Sequence, residues 1–275
     1  MMPNRKTMTL VTVICTTVAA AMILIALVLV FFVKPSDTVG TGTSGTDTGT
    51  TDGTKQSDAS LNIDNALLPE TADAGTGYID SIIFLGDSTT YHMLNREVLS
   101  GGKNSKQVWT GKEGYLNLDS KIRNSLIVYP DTGEEMTIEQ AVTAKKPARM
   151  VITLGIDYGV AWLTDSEFET YYKRLVEIVK SASPETRIIL QSIFPVSKDY
   201  EADHPKTTNA AIDAKNKLVK KVAAECGVRY LDTASVLKGT DNCMLSAYDA
   251  GDGCHYTVQA YQAILKYIRT HAYGN

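Results

Sequence analysis

Between Ser81 and Leu231 the chain alternates short apolar runs with longer amphipathic stretches, and this alternation restricts the fold more than any other feature. The runs are Ile82-Ile83-Phe84-Leu85, Gln107-Val108-Trp109-Thr110, Arg149-Met150-Val151-Ile152-Thr153-Leu154, Arg187-Ile188-Ile189-Leu190-Gln191-Ser192-Ile193 and Val228-Arg229-Tyr230-Leu231. Most are rich in β-branched residues and lack polar alternation, as strands buried on both faces do. The stretches between them carry helical periodicity. Phe168, Tyr171, Leu175 and Ile178 share a face behind the capping-box spacing of Thr164 and Glu167, and Ile212, Val219 and Val222 point inward from a helix over 209–226. A short helix starts at Thr137, and a last one runs from its expected N-cap Thr257 to about Thr270. Strands separated by helices need crossover connections, so the sequence predicts an α/β fold, a three-layer α/β/α sandwich around a five-stranded parallel sheet.

Upstream of that domain the composition changes twice. Leu10 to Val33 is 24 residues without a charge, preceded by Arg5 and Lys6. That length crosses a hydrocarbon core of about 30 Å at about 1.5 Å per residue. We read residues 1–9 as a cytoplasmic N-terminus and 10–33 as a transmembrane signal anchor, with everything after Lys34 outside. A cleaved export signal is the alternative, and it too exports the rest. Residues 34–60 are dominated by Thr, Gly, Ser and Asp, which bury too little to offset the entropy of ordering. Such a flexible linker reaches about 25–30 Å and suits a substrate in a wall or surface polymer. The domain itself is taken as 61–275, with Leu61 to Gly77 a lead-in packed on it.

Two motifs carry chemistry. Gly86-Asp87-Ser88 ends the first apolar run at the mouth of a segment, Thr90 to Leu99, that can be helical. A serine at the carboxyl end of a buried strand stands in a crevice beside helix N–H groups. Far along the chain, Asp252-Gly253-Cys254-His255 precedes the last helix. An aspartate three residues before a histidine across a tight turn can hold one ring nitrogen and leave the other to face a serine.

Together these blocks resemble the SGNH (GDSL-type) hydrolase family, in which Gly-Asp-Ser follows strand one and Asp-x-x-His precedes the final helix. The resemblance covers roughly Tyr78 to the C-terminus and implies a flavodoxin-like sheet and a serine esterase. It makes Ser88, His255 and Asp252 the catalytic residues. It also implies an oxyanion hole of the Ser88 N–H, a glycine after strand two and an asparagine after strand three. Gly114 is the choice for that glycine and Gly111 the alternate. The position of the asparagine, in Gly155-Ile156-Asp157, holds Asp157. An ionised carboxylate only accepts hydrogen bonds and would repel a developing negative charge. Asp157 therefore donates only if protonated, or the hole rests on backbone N–H groups, or Tyr158 supplies the donor.

Other classes are disfavoured. A net charge of −4 with no Lys/Arg tract gives no case for nucleic acid. His92, His204 and His271 are scattered without ligand spacing, so neither metal nor cofactor is expected. Cys243 and Cys254 flank the loop that carries Asp252 and His255, and a disulfide between them would brace it in an oxidising setting. Tyr91, Trp109, Tyr115, Tyr158 and Trp162 fall near the expected cleft, where aromatic rings either pack the core or stack on sugars. The expected function is an extracellular, membrane-tethered esterase that hydrolyses or transfers O-acyl groups, acetyl foremost, on a surface glycan or another small ester. The alternative is a domain of this fold that binds glycan without catalysis.

Overall fold

The structure, a computed structural model, describes residues 62–156 and 158–274. The expected segments 1–9, 10–33 and 34–60 and the residue Asp157 lie outside the described residues. Among the described residues no helix is long and apolar enough to cross a membrane.

The elements are α1 (Thr76–Asp80), β1 (Ile82–Gly86), α2 (Ser88–Asn95), β2 (Val108–Trp109), β3 (Leu126–Val128), β4 (Glu135–Thr137), α3 (Ile138–Lys145), β5 (Arg149–Thr153), α4 (Gly159–Trp162), α5 (Asp165–Ala182), β6 (Arg187–Gln191), α6 (Lys198–Asp203), α7 (Asn209–Glu225), β7 (Arg229–Leu231) and α8 (Val258–Thr270). One sheet has the order β2-β1-β5-β6-β7, with every neighbouring pair parallel. All five expected strands are present, joined by crossovers as buried parallel strands require.

Side chains alternate across the sheet and feed two cores. Ile83, Leu85, Met150, Ile152, Ile188 and Leu190 pack with Ile138, Phe168, Tyr172, Leu175 and Val219 of α3, α5 and α7. Ile82, Phe84, Val151, Ile189 and Leu231 pack with Met93 of α2 and with Tyr261, Ile264 and Ile268 of α8. Burying one such aliphatic side chain contributes about 1.5–3 kcal/mol, so the two cores are the main source of stability. The capping box before α5 forms as expected, with Glu167 N donating to Thr164 Oγ1 and Thr164 N to Glu167 Oε2. The lead-in packs on the domain: Leu68 N donates to Tyr230 O at 2.8 Å, and Leu67 bridges edge strand β7.

Besides the short helices α1, α4 and α6, which were not expected, two differences stand out. The β3–β4 hairpin, antiparallel from Leu126↔Thr137 to Val128↔Glu135, was not anticipated. Its strands are three residues each, too short for a periodic pattern to declare them. Helix α2 starts at Ser88 and stops at Asn95 rather than reaching Leu99, because Glu97 turns to a φ of +55° that no right-handed helix contains.

Candidate active site

The strand-to-helix turn at the end of β1 is held from three directions. A Cβ added at Gly86 would lie 2.1 Å from Thr90 Oγ1 and 2.2 Å from Thr153 O, so only glycine lets β1, α2 and β5 approach this closely. Asp87 is the N-cap of α2, and its Oδ1 accepts from Thr89 N at 3.2 Å and Thr89 Oγ1 at 2.8 Å. Its Oδ2 reaches across to the turn after β5, accepting from Gly155 N at 3.1 Å and Ile156 N at 3.3 Å. A carboxylate buried this deeply is tolerable because donors meet both oxygens. The result sets Ser88 at the first position of α2, half-buried, with an N–H that makes no hydrogen bond to any described residue. Orphan N–H groups at a helix start are the usual donors to an incoming anionic oxygen.

The second half is a loop built from its own side chains. Asp249 Oδ1 accepts from Gly251 N at 2.7 Å and Gly253 N at 2.9 Å, and Asp252 Oδ1 accepts from Cys254 N at 3.0 Å and His255 N at 2.8 Å. These are consecutive Asx turns, which hold an irregular backbone without a strand or helix. Gly253 has a φ of +77°, and a Cβ there would fall 2.4 Å from Ser197 Oγ, so the loop lies hard against the segment after β6. Ser197 N donates to Gly253 O at 2.8 Å. That segment is pinned in turn by two α7 amides: Asn216 Oδ1 accepts from Ile193 N at 2.7 Å, and Asn209 Oδ1 accepts from Val196 N at 2.9 Å. Arg96 Nε donates to Tyr256 O at 3.2 Å, and Tyr261 OH to Thr89 O at 2.6 Å, tying the loop and α8 to the serine's helix.

The two halves meet. His255 Nε2 lies 3.0 Å from Ser88 Oγ, and His255 Nδ1 lies 2.7 Å from Asp252 Oδ2. Burial pushes the Asp252 carboxyl up, but the bonds from the His255 backbone and ring and from Cys254 N outweigh it and hold the pKa at about 2. The carboxylate is therefore charged at neutral pH and favours the tautomer with the proton on Nδ1, leaving Nε2 to accept from the serine. A hydroxyl, an imidazole and a carboxylate so aligned can activate the hydroxyl as a nucleophile towards an acyl carbon.

The expected oxyanion donors divide. Gly114 N donates to Gly111 O at 3.0 Å and is already engaged, whereas Gly111 N makes no hydrogen bond to a described residue. Asp157 lies outside the described residues. The aromatic set also divides. Trp109 is core, whereas Tyr115, Tyr158 and Trp162 are exposed by 70%, 39% and 61%. Tyr115 follows β2 while Tyr158 and Trp162 follow β5, and β2 and β5 are the strands on either side of β1. Cys243 and Cys254 are both buried and neither is in a disulfide, so the bridge considered for this loop is not formed.

Several contributors escaped the motif reading. Asp249 had a signal in Asp-x-Gly, a common turn pattern, and Asn209 and Asn216 had one in their two-turn spacing on a helix. His92, stacked on His255, lies one helical turn beyond Ser88 and so on the same face.

The sequence model of the GDSL-like Lipase/Acylhydrolase family matches residues 84–263. No curated protein matches the chain. Among solved structures, a Streptococcus pneumonia protein provisionally described as a platelet activating factor is 19% identical, with 75% of this chain and 94% of that chain covered and a TM-score of 0.52. A Bacteroides fragilis protein provisionally described as an acylhydrolase is 19% identical, covering 74% and 90% with a TM-score of 0.48. A GDSL-like lipase from Bacteroides thetaiotaomicron is 14% identical, covering 70% and 87% with a TM-score of 0.48. The first of these shares the fold. With the family match spanning both motifs, the chain belongs to the GDSL-like lipase/acylhydrolase family and is a carboxylic ester hydrolase.

Proposed function

We propose that the protein is an extracellular serine esterase, tethered to the membrane through residues 10–33, that removes or transfers O-acyl groups, acetyl foremost, on a surface glycan. The observation that carries the reading is the continuous relay from Ser88 Oγ through the His255 ring to the Asp252 carboxylate. In acylation Ser88 Oγ attacks the ester carbonyl carbon as its proton passes to His255 Nε2. The bond to the sugar oxygen then breaks, and His255 returns the proton to that oxygen. Water repeats the sequence on the acyl-serine and releases the acid, and a second sugar hydroxyl in its place gives transfer. Asp252 fixes the ring tautomer and offsets the charge of the imidazolium. The oxyanion is held by the N–H groups of Ser88 and Gly111. Gly114 joins only by giving up its bond to Gly111, and Asp157 only as a protonated donor.

The glycan half rests on three exposed aromatic rings that follow the strands on either side of β1, of the kind that sugar rings stack on, with Lys206 Nζ over one face of Trp162 at 4.0 Å. The predicted linker adds reach to a polymer beyond the bilayer. The test is to treat the full-length protein in detergent with p-nitrophenyl acetate, a fluorophosphonate and an O-acetylated polysaccharide. Ester cleavage, covalent labelling that Ser88→Ala abolishes, and acetate release that Trp162→Ala weakens only on the polymer are expected. Labelling that persists in Ser88→Ala would overturn the assignment of the nucleophile. Cleavage of the small ester with no acetate release from any polymer would overturn the glycan.

A further inference from the structure

The ring of His255 is held at its two nitrogen ends, 2.7 Å from Asp252 Oδ2 and 3.0 Å from Ser88 Oγ. Bonds at two ends define a line, and the ring can still tilt about it. What settles the tilt is a contact on the ring's face. His92 provides one: its imidazole lies parallel to that of His255, with centroids 4.2 Å apart and planes 25° from each other. His92 comes from α2, one turn after Ser88, so the helix that presents the hydroxyl also presents the surface against which the base lies.

The state of the His92 ring matters to the chemistry. Its Nδ1 is buried and makes no hydrogen bond to a described residue. Burial first, then the positive charges that His255 and Arg96 can bring, lower its pKa, with Asp252 pulling weakly the other way. The groups facing it are Arg96 and the edge of the Tyr91 ring from its own helix, and His255 and Asp252 from the loop. The ring is thus neutral, and a neutral π-face against His255 tolerates the imidazolium that forms when Ser88 gives up its proton. A second cation at 4.2 Å would oppose that charge.

We propose that His92 is a positioning residue for His255, its neutral ring stacked on the face of the base so that the base keeps the plane that joins Ser88 to Asp252. The proposal rests on the reading of Ser88 and His255 as nucleophile and base. His92 acts through His255, on whose ring it is stacked.

The experiment compares wild type with His92→Ala and His92→Phe in the full-length protein. Turnover of p-nitrophenyl acetate is measured alongside nitrogen-15 NMR of the labelled histidines. For His92→Ala we expect kcat to fall by about tenfold with KM changed less than twofold, and the downfield Nδ1–H signal of His255 to broaden as the ring loses its plane. His92→Phe keeps a flat neutral ring and is expected to recover kcat to within about threefold and to sharpen the signal again. Wild-type kcat in His92→Ala, or no recovery in His92→Phe while both variants melt as wild type does, would overturn the role. If His92→Ala does not fold, the kcat and Nδ1–H signal of His92→Phe decide alone, and a tenfold loss there overturns it. Should fluorophosphonate fail to label Ser88 in the wild type, the nucleophile assignment itself has failed, an outcome distinct from any pattern in the His92 variants.

Discussion

The two halves of the site are built by opposite means. The serine turn is anchored in the interior: Gly86 is wedged between α2 and β5, and the buried Asp87 carboxylate joins the cap of one helix to the turn after the neighbouring strand. The histidine loop is shaped mainly by its own Asx turns of Asp249 and Asp252, with Ser197 N on Gly253 O and Arg96 on Tyr256 O as its outside ties, and the Asp252 side chain is 56% exposed. One half is therefore built into the sheet, while the other rests on fewer tertiary bonds and changes shape at lower cost. Substitutions in the first half should register mainly in stability, and those in the second mainly in rate. The exceptions are the proposed reacting groups themselves.

The largest effect tests the serine turn against the hydroxyl it presents. Ser88→Ala should lower kcat by about four to six orders of magnitude with no loss of melting temperature, because among the described residues Ser88 Oγ bonds only to His255. Gly86→Ala should instead prevent accumulation of folded protein, since a Cβ 2.2 Å from the Thr153 carbonyl cannot be relieved by a side-chain rotation. Calorimetry with a turnover assay separates the two. A well-folded Gly86→Ala protein would show that the turn yields where the packing says it does not.

Next comes Asp252→Asn, which keeps an oxygen for the N–H groups of Cys254 and His255 but loses the charge on Nδ1. We expect about a hundred- to ten-thousand-fold loss of kcat from the wrong ring tautomer, with melting changed by only a few degrees. A loss of a few-fold would mean that the exposed carboxylate adds little to the base.

How much of this division could be read from the chain follows from which interactions are local. The five sheet strands were legible because a strand buried on both faces is apolar without interruption, as Ile82 to Leu85 and Ile188 to Leu190 are. The motifs were legible because Asp87 caps the helix that Ser88 begins and Asp252 binds the N–H of His255, contacts only a few residues apart. The hairpin of β3 and β4 was not, since three-residue strands leave no period to detect. Nor was the fate of Gly114, whose positive φ of +86° suits a loop glycine whether or not its N–H is free. The stack of His92 on His255 depends on how α2 docks against a distant loop, which no local spacing encodes.

A milder pair sharpens the contrast between supports rather than reacting groups. Asp87→Asn replaces an acceptor-only carboxylate by an amide that turns two donors towards the N–H groups of Gly155 and Ile156. Chemical denaturation should show about 2–4 kcal/mol of lost stability. Asp249→Ala frees the N–H of Gly251, which is exposed and can turn to water, and the N–H of Gly253, which is buried. It should cost about 1–2 kcal/mol, less than Asp87→Asn, and yet lower kcat by about tenfold, as the loop drifts from Ser88. Reversed costs would erase the distinction between an interior anchor and a self-supporting one.

The smallest effect is on how each half answers acid. His92 belongs to the serine's helix, and burial holds its pKa below the ordinary 6.5, so the folded state resists a proton that the unfolded chain accepts. Stability from this group is whole above about pH 6.5 and is lost as the pH falls below it. Asp252 belongs to the loop and is depressed from 3.8 to about 2, so its share is whole above about pH 4 and is lost on the way down to pH 2. Solvent at the exposed carboxylate shrinks that second step. Melting temperatures followed from pH 7.5 to 2.5 should therefore show two separate declines. His92→Phe should flatten the one that starts near pH 6.5 and leave the lower one, and Asp252→Asn should do the reverse. If His92→Phe leaves the upper decline intact, the ring is not held neutral by burial, and the serine's half of the site is less closed to water than its packing implies.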